Sequence, residues 1–375
     1  MKEKKLKKLK KGPIDLTFLI LVLVLVIFGL IMLFSASYAY AYYHEGDSFF
    51  YIKRQLLWAT LGIIAMIFFC NFDYHFFHRL AFPIYAVAIL LLVVVLFMPE
   101  FNGARRWINL GFGTFQPSEI AKFAVIVTFA QLIAINGNKM STFKYGTLPF
   151  VILLAVIAGL MILEPHLSGT ILILSIGCIM MIAGGTNLKW FALAGGLVAV
   201  TVLVALFVPG VVDYAMSRVE YWIDPFSDPQ GKGFQTIQSL LAIGSGGLMG
   251  LGLGNSRQKY LYIPEPQNDF VFSIVCEELG FIGAAIVVIL FALLVWRGYV
   301  IAMRAPDKFG SMLALGCTTQ VGIQAILNIA VVTNTIPNTG ISLPFFSYGG
   351  TALCMLLAEM GIVLSVSRYS ALEKT

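Results

Sequence analysis

Apolar runs of roughly 18 residues or more recur along almost the whole chain, each long enough to cross about 30 Å of hydrocarbon as a helix. Lipid offers no partners for open backbone groups, so spanning segments must close their hydrogen bonds internally. Composition agrees. Of 375 residues, 59% are hydrophobic and 12% charged, about half the charged share of a soluble domain. The expected fold is an all-α integral membrane protein. Spans fall near 15–37, 54–71, 80–98, 117–136, 146–163, 167–183, 190–208, 268–296, 310–333 and 344–366. That makes about ten helices, with 146–183 divided at Glu164–Pro165–His166. A basic tail (1–13) precedes a transmembrane domain (14–367), and a short tail (368–375) follows. The long connection, 209–267, lies between the seventh and eighth spans.

Lysine and arginine placement sets the orientation. With the amino terminus inside, 16 of the 25 cations fall on the inner side and nine on the outer. Both termini are therefore expected in the cytoplasm, with 209–267 extracellular. The tail MKEKKLKKLKK mimics a signal-peptide n-region, but the apolar run after it is longer than a cleaved core. A retained first span is expected, its lysines held inside and aided by anionic lipid. The other basic residues are dispersed among apolar spans, which excludes a nucleic-acid surface. The five cysteines lie in apolar runs without CxxC or histidine spacing, so they read as packing residues and not as disulfide or zinc ligands.

Within the long connection, Phe234, Ile237, Leu240 and Leu241 follow helical spacing, with Gln235, Thr236, Gln238 and Ser239 opposite. This predicts a short helix in the membrane interface. The glycine run 244–256, GSGGLMGLGLGNS, follows. It permits either close backbone approach to a ligand or a flexible connector. No phosphate-binding lysine–serine motif occurs, and no GxGxxG opens a helix after a strand. No cofactor is evident, and the sequence does not support a divalent cation.

The segment YIPEPQNDFVFSIVCEELG, residues 262–280, sets Asp269 at the start of an apolar run and Glu277 and Glu278 about two turns inside it. Carboxylates at membrane depth are costly and face a cavity or a partner. Asp269 also fits a plain helix-capping role; Glu277 is too deep for that and fits either a cavity or a cation on a neighbouring span. On the same predicted side, Gln116–Pro117–Ser118 caps the fourth span, and Glu119 and Lys122 stand i,i+3 upon it. Lys122 either snorkels to the interface or receives an anion together with Arg105 and Arg106. NSRQK adds Arg257, Gln258 and Lys259, and the helix-breaking stretch 334–351 carries Ser347 and Tyr348. Five cations and several carboxylates are thus expected around one outer cavity. Cations of fixed geometry suit a diphosphate, and a carboxylate beside them suits base catalysis on a hydroxyl. An amphiphilic substrate with a diphosphate head satisfies both, and its leaving group supplies the energy.

The motifs GARRW (103–107), FQPSEIAK (115–122), GLGLGNSRQK (250–259), YIPEPQNDFVFSIVCEELG (262–280) and GISLPFFSYGGTAL (340–353) resemble those of the SEDS family of FtsW, RodA and SpoVE. The resemblance covers about residues 14–370. It implies a peptidoglycan glycosyltransferase of the bacterial cytoplasmic membrane that polymerises lipid II at the outer face and releases undecaprenyl diphosphate. It also implies that Asp269 is the essential aspartate and that Glu119 and Lys122 are the family's glutamate–lysine pair. Arg105, Arg106, Glu119, Lys122, Arg257, Gln258, Lys259, Glu277, Ser347 and Tyr348 are expected to bind substrate. EPHLSG at 164–169 departs from the QPDLG of many members, so no role is assigned to position 166. The IPNTGISLPFFSYGGTAL stretch resembles the FtsW/SpoVE side, which points to septal or spore-cortex synthesis. A class B penicillin-binding protein and other division or sporulation membrane proteins are the implied partners. A lipid II flippase and a noncatalytic scaffold are the alternatives. The first needs alternating access, often through internal repeats, and no repeat is seen.

Overall fold

The computed structural model describes residues 11–100, 105–109, 114–193, 221–231, 233–260 and 262–370. The main helices are α1 (Leu16–Glu45), α2 (Phe50–Asn71), α3 (His75–Val95), α4 (Pro117–Asn136), α5 (Leu148–Leu163) and α6 (Leu167–Gly184). A short α7 (Phe234–Gly246) precedes α8 (Val271–Met303), α9 (Lys308–Val332) and α10 (Gly350–Tyr369). Among the described residues, nine helices are long and apolar enough to cross a membrane, all of these except α7. The seventh expected span, 190–208, falls largely outside the described residues.

Local chemistry sets the boundaries. The Asp15 carboxylate accepts from the Phe18 amide at 2.9 Å and caps α1. Pro117, which has no amide hydrogen to lose, opens α4. Asp307 caps α9 through the Gly310 amide at 2.8 Å. The break between α5 and α6 lies at Glu164–Pro165–His166, where it was expected.

The helices form a bundle with α4, α9 and α10 inside. The most apolar window of α10 is 78% buried and that of α9 67%, against 28% for α2 and α3, so the latter face outward. The α2–α10 pair packs most extensively. A Cβ on Gly361 would lie 2.4 Å from the Met66 carbonyl oxygen. Such close approach replaces the hydrophobic drive that helices lack among lipid tails. At the end away from the cavity described below, Arg297 grips Asp15 through Nε at 2.9 Å and Nη2 at 2.8 Å. The Ser367 hydroxyl accepts from the Asp15 amide. This joins α1, α8 and α10.

Two details differ from expectation. Ile108–Asn109 pairs antiparallel with Thr114–Phe115, a small hairpin just before α4. The helix α7 forms where predicted, but its buried side mixes residues of both predicted faces. Thr236, Ile237, Ser239 and Ala242 are buried, and Leu241 is exposed. Ser239 donates to the Val332 carbonyl at 2.8 Å. The helix packs on protein, whose end-of-helix carbonyls accept hydroxyls, so small polar residues turn inward beside Ile237 and Ala242.

Candidate active site

A cavity of about 840 Å³ opens where α4, the α5–α6 break, the segment before α8 and the loop before α10 converge. Asp269, Arg106, Glu119, Lys122, Ser347 and Tyr348 all line it. Each is brought there by a local device. On α4, Pro117 starts the helix, so Glu119 falls in the first turn and Lys122 one turn on. Lys122 Nζ meets Glu119 Oε2 at 2.7 Å, and both side chains are nearly buried. Arg106 reaches across to the Pro165 carbonyl through Nη2. Its Nε is buried without an acceptor among the described residues.

Asp269 lies two residues before α8 and is partly exposed to the cavity. Its backbone is fastened from two sides. Asn328 of α9 donates from Nδ2 to the Asp269 carbonyl at 2.7 Å and to the Ile341 carbonyl at 2.6 Å. The Tyr348 amide donates to the Gln267 carbonyl at 2.8 Å. Gly340 stands close enough that a Cβ there would be 3.3 Å from Asp269 Oδ2. Among the described residues no donor reaches the Asp269 carboxylate, so it is free for a ligand. Burial, reinforced by the negative charge of Glu265 and opposed by Arg106, pushes its pKa up to about 6. A carboxylate so placed is ionised at neutral pH yet basic enough to accept a proton.

The Ser347 hydroxyl oxygen accepts from the Leu343 amide at 2.7 Å, and Tyr348 packs edge-on against Tyr51 with centroids 4.9 Å apart. Both shape the wall. Sequence reasoning missed several cavity residues: Glu265, His166, Gln324 and Arg54. Glu265 was legible in principle, since it stands four residues before Asp269 in the same polar stretch. His166 lies beside Arg106 and Lys122; burial and these cations push its pKa down to about 3, so the ring is neutral. Behind it, Glu164 is buried and raised to about 8 by loss of water, with Arg106 opposing.

The other expected ligands stand elsewhere. Arg105 is half-exposed and pairs with Glu100 at 3.0 Å. Arg257, Gln258, Lys259 and Glu277 are outside the cavity lining. Helix α8 is broken at Gly280, whose φ of 66° and ψ of −167° suit only glycine. The glycine run closes on that break. Leu251 and Gly252 donate their amides to the carbonyls of Glu277 and Glu278, at 3.0 and 2.9 Å. The amides of Phe281 and Ile282 donate in return to the carbonyls of Gly247 and Leu248. The glutamate side chains finish the joint. Glu277 accepts from the Ser256 hydroxyl at 2.5 Å and the Arg257 amide at 2.9 Å. Glu278 pairs with Lys259 Nζ at 2.9 Å and accepts from Ser35 of α1. The cavity thus holds two of the five expected cations, Arg106 and Lys122. The glycines approach the backbone of α8, and the acid–lysine cluster compensates charges that fasten the loop.

Comparisons with known proteins agree with this layout. The family described as cell cycle protein, with the members FtsW, RodA and SpoVE, matches residues 15–372. The chain is 42% identical to stage V sporulation protein E of Bacillus subtilis (strain 168) over 334 residues, covering 88% of this chain and 90% of that one. It is 39% identical to the probable peptidoglycan glycosyltransferase FtsW of Geobacter sp. (strain M18), covering 86% and 88%. A solved chain from a peptidoglycan synthase complex that coordinates polymerization and crosslinking superposes with a TM-score of 0.79 at 31% identity. It covers 96% of this chain and 99% of that one.

Proposed function

Because this chain belongs to the FtsW, RodA and SpoVE family of cell cycle proteins, we propose that it is a peptidoglycan glycosyltransferase that polymerises lipid II, with Asp269 as general base. The observation that carries this reading is the placement of Asp269. Its backbone is pinned by Asn328 and its carboxylate is free, on the wall of a cavity that also holds Arg106 and Lys122.

In this reading Asp269 takes the proton of the GlcNAc 4-hydroxyl of one glycan lipid as that oxygen attacks C1 of the muramyl sugar of another. The bond from C1 to the diphosphate oxygen breaks, and undecaprenyl diphosphate leaves with the electron pair. A single displacement from an α-linked diphosphate gives a β linkage, so no covalent sugar intermediate is required. The leaving group carries negative charge into a water-poor cleft, where fixed cations are worth most. Arg106 fits this part, because its Nε has no protein acceptor among the described residues. Lys122 is shared with Glu119, so it supplies a hydrogen-bond donor more than net charge.

The cavity end faces the outside and both termini face the cytoplasm in this reading, supported by the bias of lysine and arginine. Septal or spore-cortex synthesis is supported by the similarity to the sporulation and FtsW proteins. A class B penicillin-binding protein as crosslinking partner is supported by the synthase complex whose chain this one resembles. The test is purified protein, with and without that partner, given lipid II and assayed for glycan polymer. Polymer from the pair supports the reading. Lipid II translocation without polymer would point to the flippase.

A further inference from the structure

Among the described residues outside the cavity and the glycine joint, one buried carboxylate stands without a partner. Glu359 lies in the middle of α10, about 1% exposed, and both of its carboxylate oxygens are buried without a hydrogen-bond partner. Gln320 of α9, itself buried, is the polar side chain beside it, and the Gln320 carbonyl oxygen is also buried and unpartnered. Gln320 also brings its amide NH2 to the carboxylate, so three acceptors on two packed helices face a single neutral donor group. Unpaired buried charge is among the most costly arrangements a membrane core can hold. A neutral amide leaves the carboxylate's charge uncompensated, and the smallest species that removes that charge while joining two of these acceptors is a single proton. With Glu359 as the neutral acid, its hydroxyl donates to the Gln320 carbonyl oxygen.

The groups that face Glu359 are known. Lys122 and Glu119 of α4 interact with it electrostatically, as does the buried Cys317 thiol of α9. Helices α1, α2 and α8 also pack on α10, and among the described residues they bring no charged group to it. Glu359 therefore sits behind the ion pair that lines the cavity. While it is neutral, Glu119, Lys122 and Glu359 sum to zero charge. Ionised, the same cluster carries one negative charge beneath the place where an anionic head group must settle.

We propose that Glu359 is a buried proton-binding site that holds its proton against Gln320 and, by remaining neutral, keeps the Glu119–Lys122 wall receptive to an anionic substrate. The proton site stands on burial and partner geometry alone. Its effect on substrate rests on the glycosyltransferase reading above.

The two parts are tested separately. Infrared spectra of the purified protein in lipid nanodiscs should show the carbonyl stretch of a protonated carboxylic acid that Glu359→Gln abolishes. Gln320→Leu, which leaves the acid but removes its acceptor, should move that band to higher frequency, and this arm stands even if Glu359→Gln fails to fold. A spectrum without such a band, or one unmoved by Gln320→Leu, overturns the site. So does sodium-dependent thermal stabilisation of the wild type in place of the band, which would assign a metal cation to these oxygens. In the polymerisation assay, the wild-type KM for lipid II should rise at alkaline pH by at least about fivefold, the lower end of ordinary site-to-site coupling. The Glu359→Gln protein should show a flat KM. Identical profiles would overturn the coupling while leaving the infrared result to decide the site.

Discussion

Lys122 Nζ lies 2.7 Å from Glu119 Oε2, one turn apart on α4, and both side chains are enclosed by the cavity wall. The pair can act as a substrate contact or as a strut. Lys122→Ala should lower polymerisation with the protein still inserted. In a double-mutant cycle with Glu119→Ala, the coupling should fall within about 0.5–3 kcal/mol. Activity should stay low in the double variant, since the donor toward substrate is still missing. Full recovery in the double variant would make the pair structural only.

The Lys259–Glu278 pair is more deeply buried, at 3% and 0% exposure, and lies outside the cavity. Glu278→Gln should destabilise the protein by about 3–5 kcal/mol, because Lys259 is left buried and uncompensated. Thermal melting in detergent checks this. The KM for lipid II of the folded fraction should be unchanged. A raised KM at unchanged melting temperature would return these residues to the substrate site.

Asp269 titrates near 6, raised by burial and Glu265. A general base works only when ionised, so kcat/KM should rise with pH through about 6 and hold until the alkaline rise in KM sets in. Glu265→Gln removes a negative charge that disfavours ionisation, so the acidic limb should move to lower pH. Movement of the limb to higher pH would contradict the electrostatic account of the site.

Gln230 is exposed in the segment before α7. With the five native cysteines replaced, Gln230→Cys should react with a membrane-impermeant thiol reagent in whole cells. Labelling only after lysis would reverse the orientation.

Sequence patterns revealed most helices because apolar runs and capping residues act locally. The start of α4 at Pro117 and the break at Glu164–Pro165–His166 were readable for that reason. What sequence concealed was partnership. Glu277, Lys259 and Asp269 look alike in a linear reading, as charges near the outer end of one run. Their roles diverge because α8 breaks at Gly280, a single glycine in a helical stretch, and the 244–256 run pairs with the exposed backbone there. Similarly, α7 was placed by its periodicity, but its buried face depends on the Val332 carbonyl that Ser239 meets. Asn328 gave no signal at all, since an asparagine within an apolar span shows its purpose only when the Asp269 and Ile341 carbonyls lie against it.

The proposed mechanism stands or falls on the Asp269 carboxylate removing a proton during glycosyl transfer. Asp269→Asn keeps size and hydrogen-bonding reach while abolishing the base, and general-base catalysis contributes about 10²–10⁴-fold. Given lipid II and the crosslinking partner, the purified Asp269→Asn protein should form polymer at least about a hundredfold more slowly than wild type, with insertion and partner binding intact. Polymerisation by that variant at near wild-type rate would contradict the mechanism and leave Asp269 without a part in proton transfer.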